Sequence, residues 1–471
     1  MSPKHSYDVL VIGGGTAGIA AVESARLLGA NVCLIEKAKL GGTSLHETEI
    51  PSASLLRAAK FYRSLMDAKR FGITVGSSTF SYDDAMHYRD TVVESITGGG
   101  LHANAFEKQM RDLNVDVRFG KAKFEDDHFI SVGAESLHGK TIVIATGCED
   151  FIPEIKGLDA VHFLSPKDLY AKKRLPKSIA VIGGGKDACD IATIYATFGT
   201  RVVLLEQGFH LLHDEDEECV TIIEDRMKKA GIEIVNNAII TEIVDGRGGV
   251  YGMKANVNGV PSMFAVEHIT VATGKRFNGL DLGVDAFTLK QNESGFVFTN
   301  ADQSSSIFHL FIAGDACGKS SSSILAKEQG TVAGFNAARM ALQKRIPKKI
   351  MDEHITPRVV HTDPEFASIG YTSEQAKKKF GQVLIGRCQY EKLHRSLVDH
   401  ESNGLIKLVA HTKTGKIVGG SIAGACAGEL IHEIAIAMQR NMTVDKLASI
   451  SCVYPTYAEG IQIVAKNLKT E

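Results

Sequence analysis

Along the chain the period of the hydrophobic positions changes in a regular order. Tyr7 to Ile12 is a continuous apolar run, Ile19 to Leu28 carries apolar residues at helical spacing, and Asn31 to Ile35 is apolar again before Glu36. Short unbroken apolar runs read as strands buried on both faces, and the periodic stretch between them as a helix, so the opening predicts strand, helix, strand. The turn is Gly13-Gly14-Gly15-Thr16-Ala17-Gly18. In that spacing Gly13 makes the tight turn, Gly15 lets a pyrophosphate approach the backbone, and Gly18 lets the helix pack on the strand. The free N–H groups of the helix start attract phosphate, and Glu36 is placed to accept hydrogen bonds from a ribose.

The pattern restarts at Ser178-Ile-Ala-Val-Ile182, passes Gly183-Gly184-Gly185 into a helix through Tyr195, and continues with a strand from Arg201 to Leu205 and then Glu206. This internal repeat predicts a second dinucleotide site. Glu206 is followed by Gln207-Gly208 with no nearby arginine pair, which favours an unphosphorylated ribose and hence NAD over NADP. Ala188 stands at the third glycine position, where a methyl group fits. Lys186 and Asp187 charge the helix start. A carboxylate there suits the helix dipole, but it also pushes against an incoming pyrophosphate.

Between the repeats, Ser54 to Arg70 reads as a helix and Phe80 to Arg111 as one or two more. Val115 to Phe119, Phe129 to Val132 and Thr141 to Ile144 read as short strands, the last ending in Ala145-Thr146-Gly147, which is echoed by Ala272-Thr273-Gly274. Ile307 to Ile312 leads into Ala313-Gly314-Asp315, and Ser323 to Leu342 is helical. From Ile355 the pattern becomes α+β. Strands are expected at Arg358–His361, Ala367–Gly370, near Gly404–Ala410 and at Ile417–Ile422, with helices at Ser373–Phe380, Gly428–Arg440 and after Pro455.

A chain of 471 residues exceeds what one hydrophobic core serves, so two to four domains are expected. The formal net charge is -2 and no run of five like charges occurs, which argues against nucleic acid or an anionic membrane as partner. Lys377-Lys378-Lys379 reads as a solvated helix face. The eight cysteines lack metal-ligand spacing and do not suggest a disulfide framework. The apolar start Val9–Ile12 is too short for a signal peptide and runs straight into the glycine turn, and no stretch is long and apolar enough to span a bilayer. The expected location is cytoplasmic. His46, Glu47 and Glu49 form a polar cluster, but on a continuous helix 46 and 49 share a face that 47 does not, so no metal site is predicted.

Leu40-Gly-Gly-Thr-Ser-Leu-His-Glu-Thr-Glu-Ile-Pro-Ser-Ala53 resembles the redox segment of the flavin-dependent pyridine nucleotide-disulfide oxidoreductases. In that family Gly-Gly-Thr leads to a cysteine, four residues, a second cysteine, Ile-Pro-Ser and a lysine. Ser44 and Glu49 stand at the two sulfur positions, and Ala53 at the lysine. Phe311-Ile-Ala-Gly-Asp315 looks like the second flavin motif, Thr362 to Gly370 like the start of the dimerisation domain, and Tyr454-Pro-Thr-Tyr-Ala-Glu459 like the closing catalytic motif, with Tyr454 at the histidine position.

The resemblance implies an α/β fold with two Rossmann-like dinucleotide-binding domains and a C-terminal α+β dimerisation domain. The implied boundaries are 1–150 and 276–350 for FAD, 151–275 for NAD, and 351–471 for dimerisation. It implies FAD held by Gly13, Gly15, Gly18, Glu36, Lys37, Gly42, Thr43, Ala122, Thr146, Gly147, Gly314, Asp315 and Ala326, and NAD(H) by Gly183, Gly185, Asp190, Glu206 and Gly274. It further implies a homodimer whose redox positions are Ser44, Glu49, Tyr454 and Glu459. Serine and glutamate cannot exchange with a disulfide, so hydride from NADH would pass through FAD to a small-molecule electron acceptor such as a quinone, a dye or a second nicotinamide. The competing reading is a catalytically lapsed homodimer that keeps FAD as a structural ligand. Cys452, two residues before Tyr454, is either a packed thiol or a displaced redox group.

Overall fold

The computed structural model describes residues 5–76, 79–98, 105–246, 248–284, 287, 289–292, 295–318 and 322–471. The chain divides into two compact units, one made of Met1–Pro51, His87–Phe151 and Gly274–Glu353, the other of Ser52–Met86, Ile152–Thr273 and His354–Glu471.

The first unit is built on a seven-stranded sheet. Its order is Asp116–Phe119, Val32–Glu36, Ser6–Ile12, Glu135–Ile144, Phe129–Val132 and Ala122–Phe124, with Leu310–Ile312 added parallel to Glu135–Ile144. The opening run is apolar throughout because its two faces feed two cores. Leu10 and Ile12 pack with Cys33 and Ile35, whereas Val9 and Val11 pack with Val32 and Leu34 and with the alanines of the helices Thr16–Leu27 and Ser323–Ala341. Those two helices meet backbone to backbone. A Cβ on Gly330 would lie 2.1 Å from the carbonyl oxygen of Ala17, and one on Gly334 2.0 Å from that of Ala21. The expected strand at Thr141 extends back to Glu135, where the chain turns antiparallel to Phe129–Val132.

The second unit contains three sheets. Glu233–Val235, Arg201–Leu205, Ser178–Ile182 and His268–Val271 are parallel neighbours, and Ala238–Asp245, Tyr251–Val257 and Val260–Val266 form an antiparallel meander. Arg358–Val360, Glu365–Gly370, Ile417–Gly424, Leu405–His411, Val383–Gln389 and Lys469–Thr470 make the third sheet, in that order. The sequence reading misses the meander and Val383–Gln389. The meander strands carry exposed apolar residues such as Ile239, Val260 and Met263 beside exposed polar ones such as Lys254 and Asn256, so they lack the unbroken buried apolar runs that reveal the parallel strands.

Candidate functional site

In the first unit the glycine turn has the expected construction. Gly13 donates its N–H to Ile35 O at 2.8 Å. Its φ is +105°, and a Cβ there would lie 2.3 Å from Ala145 O, so only glycine fits. The helix Thr16–Leu27 begins at Gly15 with no side-chain cap, which leaves its first N–H groups for an anion. Glu36 is anchored by Gly14 N at 2.7 Å and Ala38 N at 2.6 Å; a carboxylate so held still has lone pairs for a ribose. Glu36 lines a cavity with Gly13, Lys37, Ala122, Thr146 and Asp281. The Thr146 hydroxyl is buried without a hydrogen-bond partner, a group that a bound dinucleotide would satisfy. Gly147, at φ +70°, turns the chain after it.

Gly42 closes this site from the other side. Its φ is +71°, and a Cβ on it would lie 2.7 Å from Gly15 Cα. Two backbones therefore meet at the phosphate turn. Gly42→Ala is expected to cost about 1–3 kcal/mol through this overlap, so the purified variant should carry substoichiometric flavin by visible absorbance, while Gly72→Ala, at another left-handed glycine with open space around it, keeps full occupancy.

The redox segment is not one helix. Gly42–His46 is a short helix, Glu47 leaves helical geometry at φ -128°, and Glu49–Asp67 is a second helix. The facing of His46 and Glu49 expected of a continuous helix is therefore corrected. The His46 ring instead hydrogen-bonds Leu40 O at 2.9 Å. Thr43 is exposed and Ser44 half-buried. Glu49 opens the second helix, and its carboxylate accepts a hydrogen bond from the Ser323 hydroxyl. No cysteine lies between Cys33 and Cys148.

At the second flavin motif, Gly314 turns at φ +75° with Ala326 beside it, and its N–H is held by Gln329 Oε1 at 2.9 Å. Asp315 accepts a hydrogen bond from the Cys148 thiol at 3.4 Å. Burial first, and then the Asp315 carboxylate, push the Cys148 thiol well above its ordinary range, so it is no thiolate nucleophile. Neither Gln329 nor Cys148 stands out in the sequence as a site residue. The position of Cys148 directly after Ala145-Thr146-Gly147 was the available signal.

The second unit repeats the turn. Gly183 has φ +114° and would place a Cβ 2.3 Å from Ala272 O, and its N–H reaches Leu205 O at 2.9 Å. The helix Lys186–Thr197 starts at Gly185 in the same backbone conformation as its counterpart. Glu206 accepts from Gly208 N at 2.6 Å, and Ala188 is fully buried. Asp190 is 1% exposed, and its Oδ1 lacks a partner among the described residues. Burial raises its pKa to about 7, against the pull of Lys186. Gly274 falls in the first unit, where its carbonyl accepts from Phe151 N.

In the C-terminal region, the Tyr454 ring is 64% exposed, and its hydroxyl lies 2.9 Å from His394 Nδ1. Glu459 sits in the first turn of the helix Glu459–Lys466, where its charge suits the dipole. The half-buried Cys452 thiol contacts Ala458 O at 3.8 Å. Among the described residues, no helix is long and apolar enough to cross a membrane.

Comparison with known proteins gives consistent matches over this architecture. Residues 7–343 match the family model of pyridine nucleotide-disulphide oxidoreductases, and residues 356–465 that of their dimerisation domain. A dihydrolipoyl dehydrogenase of Bacillus subtilis is 30% identical over 460 residues, covering 96% of this chain and 94% of that protein. A mercuric reductase of Staphylococcus aureus is 27% identical over 459 residues, covering 98% and 82% respectively. Among solved structures, the HOCl-induced flavoprotein disulfide reductase RclA of Escherichia coli superposes with a TM-score of 0.80 at 22% identity, covering 98% of this chain and 99% of that one. With both the glycine-turn architecture and the dimerisation domain matched, the chain belongs to the FAD-dependent pyridine nucleotide-disulphide oxidoreductase family.

Proposed function

We propose that this protein is a homodimeric NADH oxidoreductase that passes electrons to a non-disulfide acceptor such as a quinone, a dye or a second nicotinamide. The reading is supported by the redox segment, where the resemblance assigns Ser44 and Glu49 to the family's sulfur positions and Glu49 accepts a hydrogen bond from Ser323. When bound, FAD supplies the two-electron chemistry linking nicotinamide to acceptor. Glu36 and the Gly13–Gly15 turn would hold the flavin dinucleotide, and the buried Thr146 hydroxyl beside them would gain a partner in it. Glu206 receives the ribose of NADH, where a 2′-phosphate would meet its charge. Tyr454 and His394 form an exposed O–H and imidazole pair able to hold and pass a proton at the tyrosine oxygen. The exposed apolar residues Ile436 and Val453 lie in the matched dimerisation region and suit a two-fold contact.

Steady-state NADH oxidation should therefore proceed with a quinone and not with lipoamide or a dithiobenzoate disulfide, and turnover confined to the disulfides would refute the reading. The catalytically lapsed alternative is favoured by Asp190, a carboxylate buried beside the nucleotide turn with Oδ1 lacking a partner among the described residues, which suits a site released from catalytic constraint. It predicts no NADH oxidation with any acceptor.

Glu49 gives a sharper handle. A fixed carboxylate near a bound flavin disfavours added electron density and lowers its midpoint potential. Photoreduction of Glu49→Gln should show the midpoint raised by about 20–60 mV, the two-electron equivalent of about 1–3 kcal/mol. An unchanged midpoint would remove Glu49 from the redox site.

A further inference from the structure

We infer that Asp127, His128 and His309 form a binding site for a divalent ion of the zinc class, separate from the dinucleotide sites. One ligand atom from each of the three residues lies within 4.8 Å of the others. Asp127 and His128 sit in the turn between the strands Ala122–Phe124 and Phe129–Val132, while His309 directly precedes Leu310–Ile312. The turn is shaped by Asp126, whose Oδ1 accepts from the N–H groups of His128 and Phe129, both at 2.8 Å.

The hydrogen bonds of the two imidazoles fix their tautomers. His128 Nδ1 lies 2.7 Å from Gly139 O, so it carries the proton and leaves the lone pair on Nε2. His309 Nε2 lies 2.7 Å from Asp127 O, which leaves the lone pair on Nδ1. His309 is only 2% exposed, and its Nδ1 is buried without a partner. A ring N–H held by a backbone carbonyl, with the other nitrogen bare, is how metal-binding histidines are usually oriented. Among the described residues nothing pairs with His309 Nδ1.

The rings stack face to face with centroids 4.0 Å apart and planes 16° apart, so their nitrogens do not yet converge on one point. A tetrahedral ion with bonds of about 2.0–2.1 Å needs ligand atoms roughly 3.4 Å apart, so closure asks for a shift of up to about 1.4 Å. The exposed Asp127 and half-buried His128 can supply it by side-chain rotation. Two imidazoles and one carboxylate select a borderline ion such as Zn²⁺ over Mg²⁺ or Ca²⁺, which prefer all-oxygen sets. A water would take the fourth position. The ion would clamp the turn to the chain entering Leu310–Ile312. With 182 positions between Asp127 and His309, no motif spacing reveals the site.

The test is calorimetric titration of the untagged, chelator-washed, flavin-loaded protein with Zn²⁺, alongside the visible spectrum with Co²⁺. One ion per chain is expected, with a tetrahedral Co²⁺ band. Asp127→Asn and His128→Gln should each weaken binding at least about tenfold, while the surface variant His213→Gln binds as the parent does. Because Asp127 and His128 lie toward the surface, both variants should fold even if a buried His309→Asn does not. Absence of binding, or binding that survives both substitutions, would overturn the inference.

Discussion

Replacing Lys407 with methionine lowers the stability of the second unit by about 3–5 kcal/mol, the usual cost of removing one partner from a buried ion pair. The Lys407 side chain is 3% exposed, as is that of Asp216, and its Nζ lies 2.8 Å from Asp216 Oδ2 and 2.7 Å from Glu218 Oε1. Without the lysine, the Asp216 carboxylate keeps, among the described residues, the Ser373 hydroxyl at 2.8 Å, and a buried carboxylate with one neutral donor is poorly compensated. Glu218 fares better, since Arg387 grips it through Nε at 2.6 Å and Nη2 at 2.7 Å. Arg387→Met, at 34% side-chain exposure, should therefore cost no more than about 1 kcal/mol. Urea unfolding of the two variants separates these values. The same network has a pH signature. The Arg387 hydrogen bonds lower the Glu218 pKa from 4.5 to about 2, so the stability it adds is present above pH 4.5 and is lost as the pH falls toward 2.

Asp190→Asn shows the opposite behaviour and stabilises the protein. The unfolded carboxyl titrates near 3.8 and the folded one near 7, chiefly because burial penalises the charge. Between those values the native state holds more protons than the unfolded state, so stability falls as the pH rises through the window and levels off above it. Asparagine has the same shape and no charge. Its gain should be absent below about pH 4 and reach about 2–4 kcal/mol above pH 7. Unfolding midpoints at pH 4 and pH 8 test this, and an equal effect at both would show that the folded Asp190 pKa is not raised above the unfolded one.

The parts of this protein that could be read in advance are those where one physical requirement dominates. Val9 to Ile12 and Ile179 to Ile182 are buried on both faces, so they had to be unbroken apolar runs. Gly13 and Gly183 sit where a Cβ would strike a carbonyl, so they had to be glycine. Glu36 ends its strand and Glu206 follows its own in the predicted place, because the backbone N–H groups around them require an acceptor. The meander from Ala238 to Val266 mixes exposed apolar residues such as Ile239, Val260 and Met263 with buried ones such as Ile243 and Met253, so no single requirement marks it. The break at Glu47–Thr48 also went unread, since Thr43 to Ala53 contains no proline or glycine before Pro51 to announce it. Contacts that depend on distant segments, such as Cys148 with Asp315, Glu49 with Ser323 and His309 with Asp127, are set by the sheet order and become visible only once the strands are placed.

The central claim is that reduced nicotinamide delivers electrons to the flavin and that something other than a disulfide takes them away. Anaerobic rapid mixing of the flavin-loaded protein with NADH tests it most directly, followed by a second mix with menadione or with oxidised lipoamide. The expected result is loss of the flavin's visible band with NADH and its return with menadione but not with lipoamide. A flavin that light can reduce and NADH cannot, or one restored by lipoamide, would contradict the account.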